Sequence, residues 1–239
     1  MQLSTNTTFQ SHVPMNPVTP YSGPFSKLTG DAQRRFETMC IEKTFTRGES
    51  IFVEGQMPQA IFILCSGRVK ISVTSRDGKT MILRIAEAGD VLGLSAALNA
   101  TENEVTAEAV DFCRVRAIRS RDFVDFLSHC PAAAMEATQC LLQEHRHMFK
   151  DVCRLGLPAT VAGRLANLLL DWRERRANSC QGEPRLTMTL TQEEIAGMTG
   201  TSRETVSRVL QQFQRDKLIS IKGAFLTILQ PQTLEQLAI

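Results

Sequence analysis

Short apolar runs separated by glycines fill the chain from Ile51 to about Val115. Ile61–Leu64, Val69–Val73 and Met81–Ile85 have the length and composition of strands, and the second run alternates apolar with polar residues. The Asp77-Gly78 pair between the last two runs is the signal of a two-residue hairpin. Short strands with frequent turns predict an antiparallel barrel or roll.

A long helical pattern follows, from Pro131 to Gly156. Proline suits the first helical turn, and nothing interrupts the pattern before Gly156 and Pro158. Residues along it recur at alternating steps of four and three, which is the spacing of a heptad seam. The seam predicts a helix that pairs with a second copy of the chain; the alternative is a helix packed on its own domain. The seam residues are Ala134, Thr138, Leu141, His145, Met148, Val152 and Leu155.

The C-terminal third contains two adjacent capping boxes. Thr191-x-x-Glu194 is expected to open a short helix that runs through Met198, and Thr201-x-x-Glu204 a longer one, with Gly200 in the turn between them. Two short helices joined by a glycine-containing turn match a helix-turn-helix. The predicted buried face of the longer helix consists of Val206, Val209, Leu210 and Phe213.

The opposite face of the longer helix carries side chains that can recognise DNA bases. Arginine can bond to guanine O6 and N7, and glutamate can accept a hydrogen bond from cytosine N4. The start of the second helix is the part of this motif that meets base edges. The predicted base-reading face comprises Arg203, Glu204, Ser207, Arg208 and Gln211.

Other residues near these helices suit contacts with the DNA backbone. Thr191, Gln192, Thr201 and Ser202 lie at the helix N-termini, where phosphates are favoured. The runs Leu218–Ile221 and Phe225–Ile228 flank Lys222-Gly223 and predict a two-stranded wing with a basic tip. Together these features predict a winged helix-turn-helix that binds double-stranded DNA.

Composition and charge narrow the picture further. The net charge is only +2, and its excess falls after residue 158, where ten Lys/Arg face eight Asp/Glu. No apolar run reaches the roughly 20 residues of a membrane span, and no signal peptide is recognisable, so we expect a cytoplasmic protein that does not contact membranes. The seven cysteines include no C-x-x-C pair, so neither a zinc site nor a disulfide framework is expected. No P-loop, H-E-x-x-H or G-x-S-x-G motif supports an enzyme.

The run Thr201-Ser202-Arg203-Glu204-Thr205-Val206-Ser207-Arg208 resembles the recognition helix of the CRP/FNR family of bacterial transcription regulators. The resemblance covers about residues 25–235. It implies an α+β fold with an N-terminal antiparallel β-roll of the cyclic-nucleotide-binding type, a long dimerisation helix and a C-terminal winged helix-turn-helix. The expected division is a flexible tail at 1–24, the roll at 25–130, the dimerisation helix and hinge at 131–157 and the DNA-binding domain at 158–239.

The family also implies a homodimer that reads a palindrome and, by analogy alone, activates transcription through RNA polymerase. Glu204, Ser207 and Arg208 match the residues that read a TTGA-type half-site in the fumarate-nitrate branch. Arg203, Glu204 and Arg208 match those that read a TGTGA-type half-site in the cyclic-AMP branch. Because this helix carries both sets, the expected site contains the shared TGA, paired with TCA.

The resemblance further implies that cyclic AMP is not bound in the family's usual way. The family's ribose-binding glutamate is replaced by Leu94, its phosphate-binding Arg-Ser pair falls on about Asn103 and Glu104, and its adenine-binding Thr-Ser pair falls on about Met148 and Phe149. A carboxylate at a buried phosphate position is repulsive. We therefore expect no cofactor. The degenerate effector pocket consists of Leu92, Gly93, Leu94, Ser95, Asn103, Glu104, Met148 and Phe149.

Two alternatives remain for control of the regulator. One is an apolar ligand or haem in the degenerate pocket, with His145 and His147 of the dimer helix as candidate ligands. The other is a redox switch through Cys40, Cys65 or Cys113. The first 39 residues contain no cysteine, so the N-terminal iron–sulfur cluster of the oxygen-sensing branch is not expected.

Overall fold

The computed structural model describes residues 23–179, 185–187, 190–223 and 225–238. Residues 1–22 of the predicted tail, and residues 180–184 with Cys180, lie outside these ranges. The chain forms two compact units. The first contains the residues up to 69 together with 86–141, and the second contains 70–85 together with 142–239.

The N-terminal elements form the predicted roll of short strands. The three predicted strands are confirmed and lengthen by one or two residues at their ends. The Asp77-Gly78 turn joins the second and third of them, and its glycine has a φ of +78°. The elements are α1 Gly30–Met39, β1 Ile41–Phe45, β2 Ser50–Phe52, β3 Ala60–Ser66, β4 Val69–Thr74, β5 Thr80–Ala86, β6 Val91–Leu92, α2 Leu94–Asn99, β7 Thr106–Ala109, β8 Cys113–Arg119 and α3 Ser120–His129.

The first unit is built on the antiparallel sheet β1-β8-β3-β6. Successive side chains of a strand point to opposite faces, so Ile61 and Ile63 of β3 face one side and Phe62 and Leu64 the other. The isoleucine side packs against helices α1, α2 and α3. The core there consists of Phe25, Leu28, Phe36, Ile61, Ile63, Val91, Leu94, Ala97, Ile118, Phe123, Phe126, Ala133 and Ala137.

The C-terminal elements reproduce the predicted order, with additions that include a strand, β9, and a last helix, α8. The predicted long helix runs from Pro131 to Gly156, as expected, and the next helix begins at Val161. Strand β9 is an addition that the sequence interpretation missed, although Leu186, Met188 and Leu190 alternate with polar residues. The elements are α4 Pro131–Gly156, α5 Val161–Ser179, β9 Arg185–Thr187, α6 Gln192–Thr199, α7 Arg203–Arg215, β10 Ile219–Lys222, β11 Phe225–Ile228 and α8 Pro231–Leu237.

The second unit buries the inner faces of helices α5, α6 and α7 against the sheet β10-β11-β9. Leu165, Leu168 and Leu169 of α5 are fully buried, as are Ile195 of α6 and Val206 of α7. At roughly 25 cal/mol per Å² of apolar surface, each such side chain stabilises the unit by about 1.5–3 kcal/mol. This packing holds α7 in place with its polar side outward.

Candidate nucleic-acid interface

Helix α6 begins as the sequence predicts. The backbone N–H of Glu194 donates to the Thr191 hydroxyl at 3.2 Å, and the Glu194 carboxylate accepts from the backbone N–H of Thr191 at 2.7 Å. This reciprocal capping box satisfies two N–H groups that the helix cannot. The helix ends at Thr199 and is capped by Gly200, whose φ of +61° lies in the left-handed region that favours glycine.

Helix α7 begins one residue later than its predicted capping box implies. The N-cap is Ser202, whose hydroxyl accepts from the backbone N–H of Thr205, so the prediction of Thr201 as the cap is wrong. The reason is the end of α6: the N–H groups of Gly200 and Thr201 both donate to the carbonyl of Ala196. Thr201 therefore closes the first helix and leaves the second to its neighbour.

The face of α7 that the sequence assigns to base reading is exposed. Arg203, Glu204, Arg208 and Gln211 are exposed and Ser207 is half-buried. Among the described residues, Arg208 forms no hydrogen bond or ion pair. On the opposite face Val206, Leu210 and Phe213 are buried and Val209 is half-buried. The helix is thus fixed by its apolar side while its arginines remain available to a ligand.

The Glu204 carboxylate lies at the positive end of α7. Its own backbone N–H and the Ser202 hydroxyl lower the pKa of Glu204 below its usual value, and the nearby Arg203 adds to that effect. The side chain is therefore ionised at neutral pH. An ionised carboxylate is a hydrogen-bond acceptor only, which is the form that accepts from cytosine N4.

The residues predicted to contact phosphates lie around these two helix starts. Thr191 and Ser202 are exposed and use their hydroxyls as caps, while Gln192 and Thr201 are half-buried. The first-turn N–H groups that these caps leave unpaired lie at the positive end of each helix dipole, where an anion is favoured. Lys222 is exposed and pairs with Phe225 across the hairpin, as the predicted wing requires.

One residue that positions helix α6 was not predicted from the sequence. Arg164 of α5 donates through Nε to the carbonyl of Thr199 at 2.7 Å. That carbonyl lies in the last turn of α6, where backbone carbonyls have no partner within their own helix. The contact attaches α5 to the end of α6, directly before the turn to α7. No local pattern around Arg164 announces this role, because its partner lies 35 residues away.

The predicted seam residues of α4 differ in exposure. Thr138, His145, Met148 and Val152 are exposed, and Ala134, Leu141 and Leu155 are half-buried. Leu141 packs against the core of the first unit. An adjoining row of the helix, which the sequence analysis did not assign, is also exposed. It consists of Met135 (61% exposed), Leu142 (56%) and Phe149 (65%), which are separated by seven residues each.

The residues of the predicted effector pocket also differ in their exposure to solvent. Leu92, Leu94 and Asn103 are buried, Gly93 and Ser95 are half-buried, and Glu104 is exposed. Leu94 belongs to the core, where it contributes to folding. Met148 and Phe149 belong to the second unit and are exposed.

The three cysteines of the redox hypothesis are shielded. Burial raises the pKa of the Cys40 thiol to about 12, against the influence of Arg116. Burial also raises the pKa values of Cys65 and Cys113. Because the thiolate is the reactive form, these shifts disfavour oxidation. Within the described ranges no group of three His, Cys, Asp or Glu side chains could hold a metal. No helix in those ranges is both long and apolar enough to cross a membrane.

Comparison with known proteins identifies two domain families in the chain. Residues 42–130 match the cyclic nucleotide-binding domain, and residues 163–237 match the Crp-like helix-turn-helix domain. The first match covers the strands of the roll, and the second covers helices α6 and α7 with the wing.

Curated relatives and solved structures agree with both matches. The chain is 31% identical over 181 residues, 75% of its length, to 80% of the CRP-like cAMP-activated global transcriptional regulator of Mycobacterium tuberculosis. It is 25% identical over 197 residues, 82% of its length, to 78% of the fumarate and nitrate reduction regulatory protein of Yersinia pestis. The fold resembles that of FixK2 from Bradyrhizobium japonicum with a TM-score of 0.73 and 22% identity, covering 84% of this chain and 98% of that one.

Proposed function

Because the chain belongs to the CRP/FNR family of transcription regulators, whose members carry a helix-turn-helix DNA-binding domain and are not enzymes, we propose that it binds a palindromic TGA…TCA site as a homodimer. The observation that carries the proposal is the outward face of α7. There Arg203, Glu204 and Arg208 are exposed within the first two turns of a helix whose other side is buried. Arg208 reads the guanine and Glu204 accepts from a cytosine N4.

Phosphate contacts set the register of the protein on the duplex. The N-termini of α6 and α7 and the exposed Lys222 at the wing provide donors and positive charge for them. Since each neutralised phosphate releases counterions, the affinity falls steeply as salt rises.

The homodimer forms along α4. An isolated chain would expose Met148 and Val152 of the predicted seam, together with Met135, Leu142 and Phe149 of the adjoining row. Contiguous exposed apolar side chains mark an interaction surface. Two copies that bury these rows against each other form the two-fold particle that a palindrome requires.

We propose that cyclic AMP does not control this regulator, although the relative from Mycobacterium tuberculosis is described as cAMP-activated. Leu94, at the ribose-binding position, is 1% exposed within the core and offers no acceptor. Glu104, at the phosphate-binding position, adds a negative charge. The regulator therefore binds DNA equally well with and without cyclic AMP, and by family analogy it activates transcription through RNA polymerase.

Fluorescence anisotropy of the whole chain with a labelled TGA…TCA duplex tests the function. We expect affinity at least about 10³-fold higher than for a scrambled duplex, a steep decrease with salt and no change on adding cyclic AMP. Equal affinity for the two duplexes contradicts sequence-specific recognition. An increase with cyclic AMP contradicts the proposed control only.

A second measurement tests the dimer. Phe149→Glu places a charge in the proposed interface, and Gln143→Glu adds the same charge on the other side of the helix. We expect sedimentation equilibrium to show dissociation of the first variant alone. A monomeric wild-type chain would contradict the homodimer.

A further inference from the structure

We propose that the first unit binds a small planar aromatic molecule carrying a hydroxyl or N–H group, in a cavity of about 420 Å³. This volume falls within the usual range for small-molecule sites. The cavity opens between β1, β2 and β3 and the turn that links the last two. Apart from Asn103, its lining residues are not part of the degenerate cyclic-AMP pocket.

Three phenylalanines form the apolar wall of this cavity. Phe45, Phe52 and Phe62 belong to strands β1, β2 and β3 and all line it. The Phe52 and Phe62 rings are nearly parallel, with centroids 6.1 Å apart, and the Phe45 ring stands edge-on to Phe62 at 6.4 Å. Such a wall offers both a stacking face and an edge to another ring.

A buried amide supplies the polar group. The Asn103 side chain is only 3% exposed and lines the cavity. Its Nδ2 donates to the carbonyl of Gln56 at 2.9 Å, which fixes the orientation of the amide. Among the described residues, its Oδ1 accepts no hydrogen bond. Because Oδ1 is not enclosed and keeps contact with solvent, a ligand O–H or N–H bonded to it would take the place of water there.

The charges of the lining side chains limit the class of ligand that the cavity can bind. Lys43 is the one charged side chain among the described residues that line the cavity, and no carboxylate does so. The lining therefore suits a neutral or singly negative molecule. It lacks the several donors that a buried phosphate needs. The exposed Met57, Gln56 and Gln59 form the rim, which leaves the mouth open to solvent.

Ligand-detected proton NMR of the whole chain with phenol tests this site. We expect saturable binding with a dissociation constant of about 1 mM or tighter, the range for a seven-atom ligand of good efficiency. Toluene lacks the donor and cyclohexanol lacks the flat ring, so both should bind at least about tenfold more weakly. Absence of saturable phenol binding, or equal binding of cyclohexanol, would overturn the proposal.

Variants locate the bound probe. Asn103→Leu removes the acceptor and should weaken phenol binding about tenfold. Because this change also removes the hydrogen bond to Gln56, Phe52→Leu is a second variant that leaves that bond intact and should weaken phenol binding as well. Phe112→Leu alters a phenylalanine of the same unit that is 58% exposed and does not line the cavity, so its affinity should match the wild type.

An unchanged affinity in both cavity variants would place phenol elsewhere and overturn the assignment. The DNA titration of the same sample is independent of this result. A chain that binds its palindrome but not phenol lacks only the aromatic site, and the converse result would leave that site standing without the proposed function.

Discussion

The Arg154 guanidinium donates a 2.6 Å hydrogen bond to the backbone carbonyl of Leu83, which ties the last turns of α4 to strand β5. Arg154 also pairs with Asp151 at 3.2 Å, and both side chains are more than 90% buried. A buried ion pair contributes little net stability, yet the loss of one partner leaves an uncompensated charge. The pair therefore makes the end of α4 sensitive to substitution.

Arg154→Met should destabilise the protein by about 3–5 kcal/mol, because it removes a buried ion-pair partner of Asp151 together with the hydrogen bond to the carbonyl of Leu83. Urea unfolding followed by the fluorescence of Trp172, the one tryptophan of the chain, measures the change. The matched control is the double variant Asp151→Leu/Arg154→Met, which removes both charges and should be more stable than the single variant. A double variant less stable than Arg154→Met would contradict the claim that losing one charge of this pair costs more stability than losing both.

Two glycines at helical positions should respond to alanine in opposite ways. A Cβ on Gly163 of α5 would lie 2.6 Å from the carbonyl oxygen of Leu237 and 2.9 Å from the Cβ of Pro158. A Cβ on Gly156, the last residue of α4, would have no neighbour within 4 Å. We expect Gly163→Ala to destabilise the protein by about 1–3 kcal/mol through overpacking. Gly156→Ala should be neutral or stabilise it by up to about 1 kcal/mol.

The same urea titration checks both glycine variants. A stabilised Gly163→Ala variant would mean that α8 moves away from α5 without cost. In that case the close contact between these two helices would not be a fixed part of the fold.

Cys40 gives a pH-dependent test of the redox alternative. Its pKa is about 12 in the folded chain, against an ordinary value of 9.0. Below pH 9 the thiol is protonated in both states. Between pH 9 and 12 only the unfolded chain loses this proton, so the contribution of Cys40 to stability decreases as the pH rises.

Site-resolved alkylation with iodoacetamide measures this shift directly. At pH 8 native Cys40 should react much more slowly than the same residue in urea, because only the thiolate attacks. Equal rates in the native and unfolded chains, or a native pKa at or below 9, would contradict the shielding and restore Cys40 as a candidate switch.

Local signals in the sequence account for several of the elements and for the exposed face of α7. The glycine-separated runs and the helical spacing of Val206, Leu210 and Phe213 are properties of consecutive residues, so they predicted the strands and the buried face of α7. The choice between Thr201 and Ser202 as the cap could not be made locally, since both are followed by a suitable partner. It is decided by the end of α6, where the carbonyl of Ala196 accepts from the N–H groups of Gly200 and Thr201.

Features that depend on contacts between distant parts of the chain could not be predicted from the sequence. Arg164 meets Thr199 only after α5 and α6 pack together. The aromatic wall combines Phe45, Phe52 and Phe62 from three strands. Heptad spacing identified α4, yet it could not say which of two adjoining rows turns toward the chain's own core.

The proposed contact between Arg208 and a guanine of the half-site can be measured by a double-mutant cycle. Anisotropy titrations would measure wild type and Arg208→Ala on the TGA…TCA duplex and on one with that guanine pair replaced in both half-sites. Arg215→Ala, in the last turn of the same helix, is the charge-matched control. We expect Arg208→Ala to cost about 1–3 kcal/mol of binding free energy on the intact site and almost nothing on the altered one, whereas Arg215→Ala affects both equally. An equal loss on the two duplexes for Arg208→Ala would show that this arginine contacts only the backbone, and would contradict the account.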